Sequence, residues 1–314
     1  MAFFVLGLFF LSLLVLLKSS GYATRYSSEL AKALGVSEFF ISFFIIAMIS
    51  VFPEGAVSII SALNGVPEFG LGTLLGSNVA DLTLVFGIAA LFSANGIAVK
   101  SELLRRDFLY LLLLLFPIFL GFDGSFSRVD GIVLVLAGLF FFYTVSGQGK
   151  EKKKLRLLQN ANIPKNVFLL LLSLAVLTAS AFFTVQFGVD FASQINVPPL
   201  LVGLIVVSVG TCIPELFFSI KSVKSHHDEL ALGDILGIVI TDATIIIGAM
   251  ALINPFSFSP RVIQVTGIAM LLAALLVLFF IRTERVLTKK GGLLLLLFYA
   301  LFILMELAVN GLLL

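Results

Sequence analysis

Long uninterrupted apolar blocks dominate this chain, Leu109 to Leu115 and Leu293 to Phe298 being typical. A run of about 20 such residues is what a helix needs to cross a bilayer. Lipid offers backbone groups no hydrogen-bonding partner, so only helices and closed barrels span it. These runs are continuous rather than alternating over about ten residues, which argues against a barrel. Composition agrees: 60% of the 314 residues are apolar, 12% are charged and mean hydropathy is +1.17, whereas soluble domains carry about 25% charged residues. The sequence therefore reads as an all-α integral membrane protein with little left over for a soluble domain.

Hydropathy places ten helices at 2–18, 36–63, 69–92, 103–122, 129–146, 166–188, 197–224, 230–253, 262–282 and 291–314. The polar stretch between the fifth and sixth, 147–165, holds Lys150, Lys152, Lys153, Lys154 and Arg156 and divides the chain into halves, 1–146 and 166–314, of five helices each. Lys and Arg test the count independently. Of 20, only Arg128 and Arg261 fall in the even-numbered loops, and the rest follow helices one, three, five, seven and nine. Short loops rich in Lys and Arg stay cytoplasmic, so the expected topology is a multi-pass protein of the cell membrane. Its linker faces the cytoplasm and both termini face outward.

Other classes drop out. A net charge of +2, dispersed in short clusters between apolar blocks, is too small for a nucleic-acid partner. A single cysteine, Cys212, excludes a disulfide framework or a thiolate metal site. The first residues lack the basic region and small-residue cleavage site of a signal peptide, so Phe3 to Leu17 is expected to remain as the first span. No obligate protein partner and no resident cofactor is implied.

An internal repeat locates the functional residues. Pro53-Glu54 recurs as Pro214-Glu215, an offset of 161 residues. The same offset, without gaps, pairs Ser58 with Ser219, Glu68 with Glu229, Gly72 with Gly233, Gly76 with Gly237, Asp81 with Asp242, Thr83 with Thr244 and Gly87 with Gly248. The repeated segments span about 36–92 and 197–253. Leu, Ile and Val would match by composition alone; Pro, Glu, Asp and Gly would not. Five helices, an odd number, separate the copies, so they cross the membrane in opposite senses. Inverted repeats of this kind belong to secondary transporters, which bind their cargo near the midplane where interrupted helices from both halves meet.

Glu54, Glu215, Asp81 and Asp242 all lie deep within apolar helices. Each charge at a helix centre costs about 2.5–3.5 kcal/mol on the insertion scale, so four symmetric acids point to function rather than structure. Pro53 and Pro214 lack an N–H, which strips the carbonyls of Ile49 and Gly210 of their helical donors. Ser50 and Thr211 precede the glutamates by four residues and share their helical faces. On the neighbouring helices Thr73, Ser77 and Asp81 form one stripe, and Asp234, Ile238 and Asp242 form its counterpart. This donor set is all hard oxygen. Calcium takes 6–8 oxygen ligands in flexible geometry, whereas zinc prefers nitrogen and sulfur, so calcium is the best-matched divalent ion.

At these residues the sequence resembles the calcium/cation antiporter superfamily, which includes sodium/calcium and proton/calcium exchangers. The resemblance covers both signature repeats, Ser50 to Leu91 and Gly210 to Leu252, in an architecture of ten helices. It implies calcium held by Glu54 and Glu215, with Ser50, Thr211, Ser77, Asp81 and Asp242 lining adjacent monovalent-ion sites. The residues themselves extend both sets: the freed carbonyls of Ile49 and Gly210 and the hydroxyls of Ser50 and Thr211 are candidate metal ligands, and Asp234 joins Ser77, Asp81, Asp242 and the two glutamates for the counter-ion. Departures bear on the counter-ion. The family's sodium exchangers usually read Gly-Thr-Ser-x-Pro-Glu in both repeats, where this chain has Ile49-Ser50-Val51 and Cys212, and Gly237-Ile238-Val239 stands in place of a second Gly-Ser-Asn. Several hydroxyl ligands for sodium are thus absent. Protons need only a carboxylate shielded from water, so both couplings stay open.

The expected mechanism is alternating access, with the first and sixth helices rocking against a central site and calcium extruded by exchange for sodium or protons. A cation channel is the alternative, since paired carboxylates also line pores. An intramembrane aspartyl protease, suggested by Leu232-Gly233-Asp234 beside Asp242, leaves the repeat unexplained. His226 and His227 read as a solvated loop pair, Cys212 as either a small residue lining the site or packing, and Glu306 as reaching the membrane interface.

Overall fold

The computed structural model describes residues 2–33, 50–94, 96–98, 107–146, 163–284 and 286–311. The chain is mostly helical. Among the described residues seven helices are long and apolar enough to cross a membrane, Phe3–Ala23 and Lys289–Val309 being the first and last of them.

Helices α1 (Ala2–Ala33) and α6 (Ile163–Gln194) pack along each other at the side of the bundle. Thr184 Oγ1 donates to Ser12 Oγ at 3.2 Å, and the Phe9 and Phe191 rings stack at 6.2 Å. Helix α1 was expected to end near residue 18 and instead runs to Ala33. The apolar block stops there, but no proline follows within the described helix, and the polar residues that succeed it continue the same backbone.

The centre is built from α2 (Phe52–Leu63), α3 (Pro67–Phe92), α7 (Pro199–Lys224) and α8, which runs Asp228–Ile240, Thr241–Ile246 and Ile247–Ile253. Each of α2, α3 and α7 starts with proline in its first two positions, where a missing N–H costs nothing. Helix α3 is the most enclosed span, with 83% of it buried, against 28% for α6. It crosses α7 at backbone contact. A Cβ on Gly72 would meet the Leu200 carbonyl oxygen at 2.3 Å, and one on Gly76 the Leu204 carbonyl oxygen at 2.2 Å. This is the small-residue spacing by which helices approach closely in lipid.

Around the centre stand α4 (Asp107–Leu120), α5 (Arg128–Ser146), α9 (Ile268–Glu284, entered through a π-helical turn at Ile263–Gly267) and α10 (Lys289–Val309). Two-residue strands bracket α4 and α9. Strand β1 (Ile97–Ala98) precedes α4 and β2 (Ser125–Phe126) follows it, while β3 (Phe256–Ser257) precedes α9 and β4 (Val286–Leu287) follows it. β1 pairs antiparallel with β4, and β2 with β3. Gly87 of α3 lies against the Gly292 carbonyl of α10, and Gly131 of α5 against the Gly248 carbonyl of α8; in both, an added Cβ would sit 2.8 Å from that oxygen.

Glu306 does not reach the interface. It is 3% exposed and accepts a hydrogen bond from Thr266 Oγ1 at 2.5 Å, because α10 turns that face onto the π-helical turn ahead of α9 rather than outward.

Candidate functional site

The site begins with two helix breaks. Regular helix has ψ near −42°; Val51 has ψ −10° and Cys212 has ψ −3°. Each break stands two residues ahead of a proline, so the chain stops one helix and starts another. Glu54 and Glu215 therefore occupy first turns, where unpaired N–H groups and the helix dipole favour an anion. Facing them, α3 and α8 widen into π-helical turns at Asp81–Val85 and Thr241–Ile246. Such turns shift backbone hydrogen bonding by one residue and recur at functional sites.

On the described residues of the central helices five carboxylates are buried: Glu54 and Glu215 are 2% exposed, Asp81 and Asp234 1%, and Asp242 is fully buried. They are mutually close. Glu54 lies in the field of Asp242, Glu215 and Asp81, and Glu215 in that of Asp81, Asp234 and Asp242. Among the described residues none of them forms an ion pair with Lys, Arg or His.

Their hydrogen bonds come from across the site. Ser77 Oγ on α3 shares its one proton between the Leu74 carbonyl of its own helix at 3.0 Å and Asp242 Oδ2 on α8 at 3.3 Å, and Ser50 Oγ donates to Asp234 Oδ1 at 3.2 Å. Among the described residues Glu54 Oε2, Glu215 Oε2, Asp234 Oδ2, Asp242 Oδ1 and both oxygens of Asp81 have no hydrogen-bond donor. Buried polar atoms almost always find a partner, so six orphaned carboxylate oxygens spread over four neighbouring helices are unusual. No three His, Cys, Asp or Glu side chains among the described residues converge into a metal-holding group.

The remaining residues singled out in the sequence fall as follows. Thr211 is fully buried and its hydroxyl donates to the Ser208 carbonyl at 3.0 Å, leaving its oxygen lone pairs as the group on offer. Gly210 is buried just before the break at Cys212, and its carbonyl, expected to be left without a donor by Pro214, accepts a backbone N–H there because the chain tightens at the break; one lone pair stays on offer. Ile49 lies outside the described residues, as does most of the 147–165 linker. Thr73 donates to the Phe69 carbonyl along its own helix.

Cys212 Sγ reaches the Ser77 carbonyl at 3.7 Å, which puts it beside the buried acids. Two tyrosines were not read from sequence. The Tyr110 and Tyr299 hydroxyls are buried without a partner among the described residues, and both rings lie in the field of Asp81. The available signal was that each is a lone phenol inside a Leu- and Phe-rich block.

The sodium/calcium exchanger protein family matches residues 4–146 and 165–308, which is nearly the whole chain. The chain belongs to the sodium/calcium exchanger family. Sodium/calcium exchanger MaX1 of Methanosarcina acetivorans is 27% identical over 93% of this chain and 95% of its own length. The putative antiporter CaxA of Alkalimonas amylolytica is 32% identical over 77% of this chain and 79% of its own. In three dimensions the sodium-calcium exchanger NCX_Mj superposes with a TM-score of 0.68 at 23% identity, covering 96% of this chain and 98% of the other. Exchanger family members are transporters rather than enzymes, which removes the aspartyl protease reading of Asp234 and Asp242. It also sets the channel aside.

Proposed function

We propose that this exchanger binds calcium between Glu54 and Glu215, with Ser50, Thr211 and the carbonyls of Ile49 and Gly210 completing the oxygen shell. A monovalent cation binds at Ser77, Asp81, Asp234 and Asp242 and shares the two glutamates. The observation that carries this reading is the group of six buried carboxylate oxygens without donors, shared between α2, α3, α7 and α8. Two glutamates balance one divalent charge, and hard oxygen matches calcium. Occupancy by the monovalent ion and by calcium is mutually exclusive, because both need Glu54 and Glu215. That exclusion couples the two fluxes.

The architecture we assign is ten transmembrane helices in two inverted repeats, residues 1–146 and 166–314, joined by a cytoplasmic linker at 147–165, with both termini outside. Contacts across the bundle support it. The 161-residue offset carries Gly87 onto Gly248 and Gly131 onto Gly292, so the contact of Gly87 with Gly292 becomes that of Gly248 with Gly131. It also exchanges the β1·β4 pairing with β2·β3 to within one or two residues. Helices α1 and α6 are the mobile pair of the alternating-access cycle, and the net direction is calcium extrusion.

The test is calcium uptake into vesicles by the Glu54→Gln and Glu215→Gln variants; undiminished transport in either one refutes the assignment. The same vesicles under an opposing sodium gradient, then under a pH gradient, identify the coupling ion as sodium or protons. Flux indifferent to both gradients would instead mark a channel.

A further inference from the structure

Apart from the central cluster, one acidic side chain is buried in the described transmembrane helices without a role in exchange. Glu306, in the last turn of α10, is 3% exposed and Thr266 beside it is fully buried. The Thr266 hydroxyl lies 2.5 Å from Glu306 Oε1, and Asn310 Nδ2 is 2.8 Å from the Glu306 carbonyl and 3.5 Å from Oε2. One N–H of the Asn310 amide goes to the backbone carbonyl, and the contact of the other with the carboxyl is at the limit of a hydrogen bond.

No positive charge answers this carboxyl. The elements most in contact with α10 are the last part of α3 with its π-helical turn, α9, and the π-helical turn ahead of α9. Their titratable and charged groups are Asp81, on the α3 turn, and Arg282 and Glu284, at the far end of α9; the turn at Ile263–Gly267 has none. On α10 itself Lys289 and Lys290 stand at the opposite end, with Tyr299 about two turns from Glu306. Arg261, exposed, lies one residue ahead of the segment that carries Thr266. Glu306 forms no ion pair among the described residues. A carboxyl enclosed this way with a single hydroxyl neighbour is satisfied as the neutral acid, since its O–H and C=O can both engage hydroxyl groups, whereas an unpaired buried anion is not tolerated.

We infer that Glu306 and Thr266 form a proton-binding site separate from the exchange site, which holds α10 against the turn that introduces α9. Helix α10 also packs on the π-helical turn carrying Asp81. Loss of the Glu306 proton loosens that support and slows exchange. Infrared difference spectra of the full-length protein at neutral pH, wild type against Glu306→Gln, test the site directly. The expected difference is the loss of one protonated-carboxyl C=O stretch. Calcium flux measured against pH is expected to fall on the alkaline side in wild type and to stay flat there in Glu306→Gln, whose amide mimics the neutral acid. A difference spectrum containing only ionised-carboxylate bands, or identical alkaline limbs for the two proteins, overturns the proposal; a carboxylate band that responds to sodium would mark a metal-cation site instead. Thr266→Val keeps the test open if the glutamine variant does not fold. Its C=O stretch must persist and shift to the frequency of a more weakly hydrogen-bonded acid, and an unshifted spectrum is equally fatal.

Discussion

The first signature segment, Ser50 to Leu91, and the second, Gly210 to Leu252, share a frame and differ in what fills it. In both, a helix breaks two residues ahead of a proline and a buried glutamate follows; in both, a π-helical turn holds a buried aspartate. The hydroxyls are distributed unevenly. Ser77 of the first segment shares its proton between the Leu74 carbonyl and Asp242 of the second segment, while the residue 161 positions on, Ile238, is fully buried and apolar. Ser50 donates to Asp234, whose counterpart Thr73 bonds to its own helix. The first segment thus supplies two hydroxyls and the second receives them on carboxylates. The two segments keep the same placement of buried acids and differ in their hydroxyls.

The frame is tested by its glutamates. Glu54→Gln and Glu215→Gln should each reduce calcium flux by more than about 100-fold, because outer-shell partners of a metal alone are worth roughly 10–100-fold. A large difference between the two would show that the symmetry is not functional. The division of hydroxyls comes next. Ser77→Ala should raise the counter-ion concentration for half-maximal flux by about tenfold or more, since a hydrogen bond to a charged group contributes about 1.5–3 kcal/mol. Ile238→Ser, which restores the missing hydroxyl to the second segment, should lower it under a sodium gradient, and a shift the other way would deny that position any part in ion binding. Gly76→Ala should leave ion preference alone and lower the thermal unfolding midpoint by an amount corresponding to about 1–3 kcal/mol, since its methyl meets backbone rather than a yielding side chain. The smallest effect belongs to Cys212→Ser. A thiol is a weak donor, and flux should stay within about twofold of wild type.

Legibility in the sequence followed the range of the interaction. The apolar blocks announced helices because a helix in lipid satisfies its own backbone, and Pro53 and Pro214 marked the breaks because the missing N–H is a local fact. Where α1 ends was not legible, since the hydropathy boundary near residue 18 is not a boundary of the backbone. The π-helical turns were hidden because a one-residue shift in hydrogen bonding leaves no trace in composition. Ser50 was read as a neighbour of Glu54 four residues on; its bond to Asp234 joins residues 184 apart and depends on packing. Glu306 was misplaced for a related reason, since nearness to a helix end in sequence says nothing about which neighbour covers it.

The four short strands have a mechanical consequence. Because β1 and β2 bracket α4, β3 and β4 bracket α9, and each strand at one end of α4 pairs with one from α9, the two helices and two ladders form a closed circuit through the bundle. A circuit fastened at both ends resists sliding of one helix along the other, because any axial slip would strain both ladders at once. Helices α1 and α6 contribute no strand to it and bind chiefly to each other. On the alternating-access reading proposed above, the braced pair α4 and α9 belongs to the part that stays still while α1 and α6 move.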